Sequence, residues 1–291
     1  MNKKKYVNRN YLTTTRIIAL GFLITVIVGT ILLSLPIASA NGTWTDLLTA
    51  AFTSTTSVCV TGLVVVDTFS YWSLFGKGVI LILIQIGGLG IVSIITLFML
   101  LFRMKITLKS TMLLQDAFNL NSKQGLLKFT IKVIKGTFLI EGIGAFIYSF
   151  YYCREYGLLK GIWFSVFHAV SAFCNAGLDI MGADSLIPYH SNLLMMLNTS
   201  FLIIMGGIGF IVWWDTVEAF RRIRTKKCSI RSAWNGVHLQ TKIAIFMTLL
   251  LLIGGTVVIY FLERSNPDTL GNLSEKDRIL NAFFQSVTLR T

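Results

Sequence analysis

Val58-Cys-Val-Thr-Gly62 and Phe173-Cys-Asn-Ala-Gly177 contain no acid, base or activated nucleophile, yet they are the stretches of this chain best suited to chemistry. Each follows a half-apolar segment and ends in a single glycine. Glycine accepts the positive φ that can turn successive carbonyls to one side, and it lets the backbone approach a ligand closely. The carbonyls of Val60, Thr61 and Gly62, and those of Asn175, Ala176 and Gly177, could therefore replace the water shell of a dehydrated ion. That chemistry is coordination of a monovalent cation by backbone oxygen. Asp67 and Asp179 stand a few residues beyond the two glycines and would concentrate cations at a mouth. A third stretch, Ser286-Val-Thr-Leu-Arg-Thr291, stops short of an equivalent glycine; Thr291 is its candidate ligand, and Arg290 would approach the pore mouth.

The stretches recur because the chain repeats. Phe52, Phe167 and Phe283 begin related segments 115 and 116 residues apart, and aligning them sets Cys59 over Cys174, Gly62 over Gly177 and Leu63 over Leu178. Gly87-Gly88-Leu89-Gly90 and Gly206-Gly207-Ile208-Gly209 give a second anchor at an offset of 119. Two anchors near one period mark internal repetition.

Composition says where such units reside. With 54% hydrophobic and 13% charged residues, the chain falls well below the roughly one-quarter charged content of soluble domains. Apolar runs near 16–35, 74–102, 131–152, 191–220 and 239–262 reach the roughly 20 residues that cross a bilayer. Segments near 44–58 and 160–173 are too short to cross and read as re-entrant helices. The segment near 275–288 takes the same place, although it starts with the charged run Glu275-Lys-Asp-Arg278. The predicted fold is an all-α polytopic membrane protein built from units of transmembrane helix, re-entrant pore helix, filter loop and transmembrane helix, of potassium-channel type. Its expected divisions are an N-terminus over 1–15, a first pore repeat over 16–102, a linker over 103–130, a second repeat over 131–220, a linker over 221–238 and an incomplete third repeat over 239–291.

This arrangement supports the carbonyl chemistry in two ways. Irregular backbone at membrane depth persists only where protein buries it or where it lines a watery path, because an unpaired peptide group in lipid costs several kcal/mol. A re-entrant helix entering from outside also points its C-terminus, with about half a negative charge, at mid-membrane.

The net charge of +13 is mostly topology. Of the 26 Lys and Arg, 19 lie before the first span, in the two linkers or at the span starts that adjoin them (Arg16, Lys132, Lys135 and Lys242), which makes those segments and the N-terminus cytoplasmic. The opposite face holds 9 of the 13 acids. The lipid bilayer accounts for the basic balance and nucleic acid is not implied. A basic start, an apolar run and Ala38-Ser39-Ala40 imitate a cleavable signal peptide, but the run exceeds the usual 7 to 15 residues and reads as an anchor.

Other residues have weaker readings. Cys59, Cys153, Cys174 and Cys228 lack metal or disulfide spacing and read as structural thiols. Glu141 lies half-way along the third span, where a carboxylate is a functional candidate, with a hydrogen bond between helices as the alternative. His168 reads as a packed pore-helix residue, not a metal ligand. The glycine clusters lie inside apolar spans and so serve close packing, not nucleotide binding. Asn41-Gly-Thr43 and Asn272-Leu-Ser274 fit a glycosylation sequon and are treated as loops. Glu141, His168 and Asp215 are too scattered to form a catalytic set, and no enzyme is expected.

Thr56-Ser-Val-Cys-Val-Thr-Gly-Leu63, Ile84-Gln-Ile-Gly-Gly-Leu-Gly90, Phe167-His-Ala-Val-Ser-Ala-Phe-Cys-Asn-Ala-Gly-Leu-Asp179 and Ser286-Val-Thr-Leu-Arg-Thr291 together resemble the Ktr, Trk and HKT potassium transporters, closest to the bacterial Ktr membrane subunit. The resemblance covers essentially the whole chain. It implies potassium uptake at the cell membrane, often sodium-dependent, through a backbone-carbonyl filter in a homodimer with one pore per protomer. It also implies a cytoplasmic KtrA-like nucleotide-binding ring as regulatory partner, no cofactor in the chain, and no metal beyond transported potassium or sodium. The family has four repeats, so a fragment of a longer chain is expected, ending within the third. The channel-like subunit of an energised potassium pump resembles the same repeat and stands as the alternative.

Overall fold

The computed structural model of the chain describes residues 14–90, 93, 126–182, 184–226 and 229–291. α1 (Thr14–Ser34) carries a single charge, Arg16, and ends just before Pro36, which holds Leu35 in extended backbone at φ −65°, ψ 145°. Asp46 starts α2 (Leu47–Cys59) by accepting the backbone N–H groups of Leu48 at 3.1 Å and Thr49 at 3.3 Å. Asp67 caps α3 (Thr68–Tyr71) in the same way, and Ser73 caps α4 (Leu74–Leu89). Backbone bonds from Ala40 N to Tyr71 O and from Ser73 N to Ala38 O, both 2.9 Å, tie the loop after α1 to the loop before α4.

The second unit consists of α5 (Leu126–Tyr156), α6 (Leu158–Phe173), α7 (Leu193–Gly207) and α8 (Phe210–Lys226). After the short α9 (Ile230–Asn235) come α10 (Leu239–Glu263) and α11 (Glu275–Arg290). The short helices α2, α6 and α11 pack against the long ones, and polar side chains stitch them together. Ser54 donates to Val26 O at 2.8 Å, Ser286 donates to Leu252 O at 2.9 Å, and Tyr148 Oη lies 2.6 Å from Thr199 Oγ1.

The interior combines an apolar core with buried hydroxyls, and the outer surface, unlike that of a water-soluble bundle, is also apolar. Thr53, Ser54, Thr56, Ser57, Ser165 and Ser171 are buried on α2 and α6, while Leu23, Ile24 and Ile27 on α1 and Phe246, Leu249 and Ile253 on α10 are exposed. Only 11% of the apolar window of α10 is buried within the protein, as a lipid-facing helix requires. α1, α5 and α10 are each long and apolar enough to cross a membrane, and α7 with α8 forms a fourth span if the bent pair is counted as one. This is a multi-pass membrane protein.

Two expected spans differ. The run over 191–220 is not one helix: α7 and α8 meet at 101°. Gly209 takes φ +96° at the corner, and Trp213 Nε1 braces it by donating to Met205 O at 2.9 Å. Of the run over 74–102, α4 accounts for the part up to Leu89; of the rest, Gly90 (φ +79°) and Ser93 are described and the remainder lies outside the described residues. The linker over 103–130 and Cys228 are likewise largely or wholly outside them.

Candidate functional site

The two glycine-bearing returns have the same backbone. Val60 leaves α2 at φ +57° and Gly62 follows at +76°; Asn175 leaves α6 at φ +58° and Gly177 follows at +67°. Thr61 N donates to Thr56 O at 3.0 Å, and its repeat equivalent, Ala176 N, donates to Ser171 O at 2.8 Å. A β-branched residue at positive φ is an outlier, and strain of this kind costs on the order of 1–3 kcal/mol and collects at functional positions. Val60 and Asn175 are thus the residues where each helix is broken and its last carbonyls redirected. Positive φ is thus not confined to the glycines of the returns.

Thr56 and Ser171 also shape the two returns. Thr56 Oγ1 lies 2.6 Å from Thr61 Oγ1 and accepts Leu63 N at 3.0 Å, and the Ser171 hydroxyl donates to Leu178 O. Each hydroxyl sews the loop beyond the glycine back to its own pore helix. The alignment that sets Gly62 over Gly177 sets Thr56 over Ser171, so the signal was available.

One cavity of ≈ 410 Å³ is lined by Val60, Thr61, Gly62, Asn175, Ala176, Gly177 and Thr291 together. The two returns touch at their centres: a Cβ built on Gly62 would lie 2.8 Å from Ala176 O and 3.5 Å from Gly177 Cα. With its amide oriented to satisfy its neighbours, Asn175 donates to Thr291 Oγ1 and Ile203 O and accepts Gly207 N, each at 3.3 Å. Asp179 lines the same cavity, its carboxylate accepting the Ser185 hydroxyl at 2.6 Å and Met181 N at 3.0 Å.

Two expected mouth residues stand elsewhere. Arg290 does not line the cavity; it donates to Thr248 Oγ1 at 2.5 Å and lies against Gly207, behind the return. Asp67 is also outside the lining and serves as the cap of α3. Burial pushes its carboxyl up, but hydrogen bonds from the Ser70 hydroxyl and the Ser70 and Phe69 N–H groups, with the charge of Lys77, more than offset this and hold it below its ordinary value. A depressed folded value stabilises the fold above the ordinary carboxylate range, and that contribution is lost as pH falls through the folded value. Acidification to about pH 5 should therefore leave the cap intact, with slow hydrogen exchange at the Phe69 and Ser70 amides lost only at lower pH.

The glycine clusters seat the ends of the pore helices. A Cβ on Gly87 would lie 2.2 Å from Val58 O, and one on its equivalent Gly206 would lie 1.7 Å from Phe173 O. A Cβ on Gly88 would lie 2.3 Å from Cys174 Sγ, and one on Gly207 would lie 2.5 Å from Thr291 Cγ2. The first glycine of each cluster admits the C-terminal carbonyl of its own unit's pore helix, and the second admits the start of the next unit's return. His168 is buried against the rings of Tyr148 and Tyr152, and among the described residues no group of three His, Cys, Asp or Glu could hold a metal.

The sequence matches the TrkH family, described as cation transport protein, over residues 3–291. The chain belongs to the TrkH family. Three curated relatives of this TrkH-family chain are the potassium/sodium uptake protein NtpJ of Enterococcus hirae and the Ktr system potassium uptake protein B of Bacillus subtilis and of Vibrio alginolyticus. The first is 41% identical over 97% of this chain and 60% of its own length, the second 37% over 100% and 62%, and the third 34% over 95% and 58%. The chain therefore spans about three-fifths of the length of these relatives. The family is one of transporters, and the scattered acids fit that: Asp215 pairs with His238 at 2.9 Å and Thr241 at 2.6 Å at the N-terminus of α10, while Glu141 bonds Gln85 between α4 and α5.

Proposed function

We propose that this chain supplies most of a pore through which its full-length protein takes up potassium, with the carbonyls of Val60, Thr61, Gly62, Asn175, Ala176 and Gly177, and Thr291, as ion ligands. The observation that carries the reading is the repeated left-handed geometry at 60 and 62 and at 175 and 177 around one cavity. Each pore helix ends beside it, so partial negative charge from C-terminal carbonyls converges there without an acidic side chain. Asp179 adds a carboxylate to the same lining. The units over 16–102, 131–220 and 239–291 act as pore repeats, the N-terminus is cytoplasmic, and the protein works in the cell membrane as a homodimer over a KtrA-like nucleotide-binding ring. The names of the relatives support potassium as the substrate, and that of NtpJ supports sodium as a second ion.

The test is growth at limiting potassium, with rubidium uptake, in bacterial cells lacking their own potassium transporters and expressing the full-length parent with a regulatory partner. Rescue with saturable uptake is expected. Membrane expression without rescue, or co-purification with an ATPase subunit, would replace this reading with that of a pump subunit.

A further inference from the structure

Behind the second return, three helices meet at one carboxylate. Glu141 on α5 is only 4% exposed. Its Oε1 accepts Gln85 Nε2 from α4 at 3.0 Å and faces Cys174 Sγ at 3.9 Å. Cys174 immediately precedes the left-handed Asn175 and packs against Gly88. Glu141 does not line the pore cavity; it borders a separate, mainly apolar cavity of ≈ 340 Å³ between α4, α5 and α6. Its contact with the second return is through Cys174.

The third unit repeats the device with different residues. Arg290 aligns with Cys174 and donates to Thr248 Oγ1 at 2.5 Å. Thr248 lies fifteen residues before the end of α10, as Glu141 lies fifteen before the end of α5, so the two occupy the same rung. Arg290 and Thr291 pack against Gly207 as Cys174 packs against Gly88. In both units the residue at the end of the pore helix is held between a glycine of the preceding unit and a polar group on the first helix of its own unit.

We infer that this pair of contacts is a brace that fixes where each carbonyl return starts, and that Glu141 and Thr248 are positioning residues for ion selectivity. The inference rests on the filter reading above. A buried acceptor removed from such a junction leaves its donors unpaired, and the strand they anchor is free to shift. Ligand carbonyls that move by a few tenths of an ångström change how well they match one ion over another before they stop conduction.

The experiment measures rubidium uptake by the full-length parent in potassium-transport-deficient cells, reading half-saturation, sodium competition and maximal rate for Glu141→Gln, Glu141→Leu, Thr248→Val and, as the filter control, Gly62→Ser. Glu141→Leu is expected to lower potassium-over-sodium discrimination about tenfold, equivalent to ~1.4 kcal/mol, with less change in maximal rate. Thr248→Val shifts it in the same direction, and Glu141→Gln, which keeps Oε1, retains wild-type discrimination. If Glu141→Leu does not reach the membrane, Thr248→Val carries the test. The brace is overturned if these variants discriminate normally while Gly62→Ser does not, or if Glu141→Gln is as impaired as Glu141→Leu. Normal discrimination in Gly62→Ser as well would instead overturn the filter reading.

Discussion

Gly62→Ser is expected to reduce potassium-over-sodium discrimination of the full-length protein by about tenfold or more, through two separate effects. The residue sits at φ +76°, where a side chain costs roughly 1–2 kcal/mol. Its Cβ would also meet Ala176 O at 2.8 Å, and that oxygen cannot easily retreat because Ala176 N is bonded to Ser171 O on α6. Relief must come from moving one return away from the other, which alters the spacing of the candidate ligands. Gly177→Ser shares the first effect, at φ +67°, but its Cβ meets nothing closer than Gly62 Cα at 3.5 Å. The effect at Gly177 should therefore be the smaller. Sodium competition against rubidium uptake checks both the loss and its order, and equal or reversed effects would mean that contact between the returns does not set the geometry.

Gly206→Ala should be more damaging than its single added methyl implies. The new carbon would lie 1.7 Å from Phe173 O and 2.8 Å from Phe173 C, and the obstacle is the C-terminal turn of a pore helix rather than the end of a flexible side chain. Overpacking of a tight core costs about 1–3 kcal/mol, occasionally more, and a rigid backbone neighbour puts this case at the upper end. The result should be a thermal midpoint of the purified full-length protein lowered by a few degrees. Gly254→Ala, whose Cβ would meet nothing within 4 Å, is the control and should be unchanged.

Much of this architecture could be read in the amino-acid sequence, for physical reasons specific to each part. Hydropathy marks α1, α5 and α10 because a helix facing lipid must be apolar over its length. The pore helices were legible as runs too short to cross, and the returns as the places where glycine recurs at the repeat period. The 101° corner between α7 and α8 was not, because both arms are apolar enough to read as one run and the bend depends on one positive φ and a tryptophan brace. Val60 escaped because a β-branched residue rarely takes a left-handed conformation and the surrounding structure imposes it, whereas Asn175 is of a type that favours that conformation and its signal was available. Arg290 was expected at the mouth on its adjacency to the filter, but adjacency along the chain does not say which side of the backbone a long side chain takes. The contact from Glu141 to Cys174 spans 33 residues and joins two side chains whose types alone suggest neither metal nor catalysis.

The central claim is that backbone carbonyls at 60–62 and 175–177 hold the transported ion. Its most direct test is the location of the ion itself, by rubidium anomalous diffraction from crystals of the full-length protein grown with rubidium in place of potassium. The account predicts anomalous density between the two returns, within coordinating distance of the Val60, Thr61, Gly62, Asn175, Ala176 and Gly177 carbonyls. Strong density only at acidic side chains such as Asp179 or Glu141, with none between the returns, would contradict it.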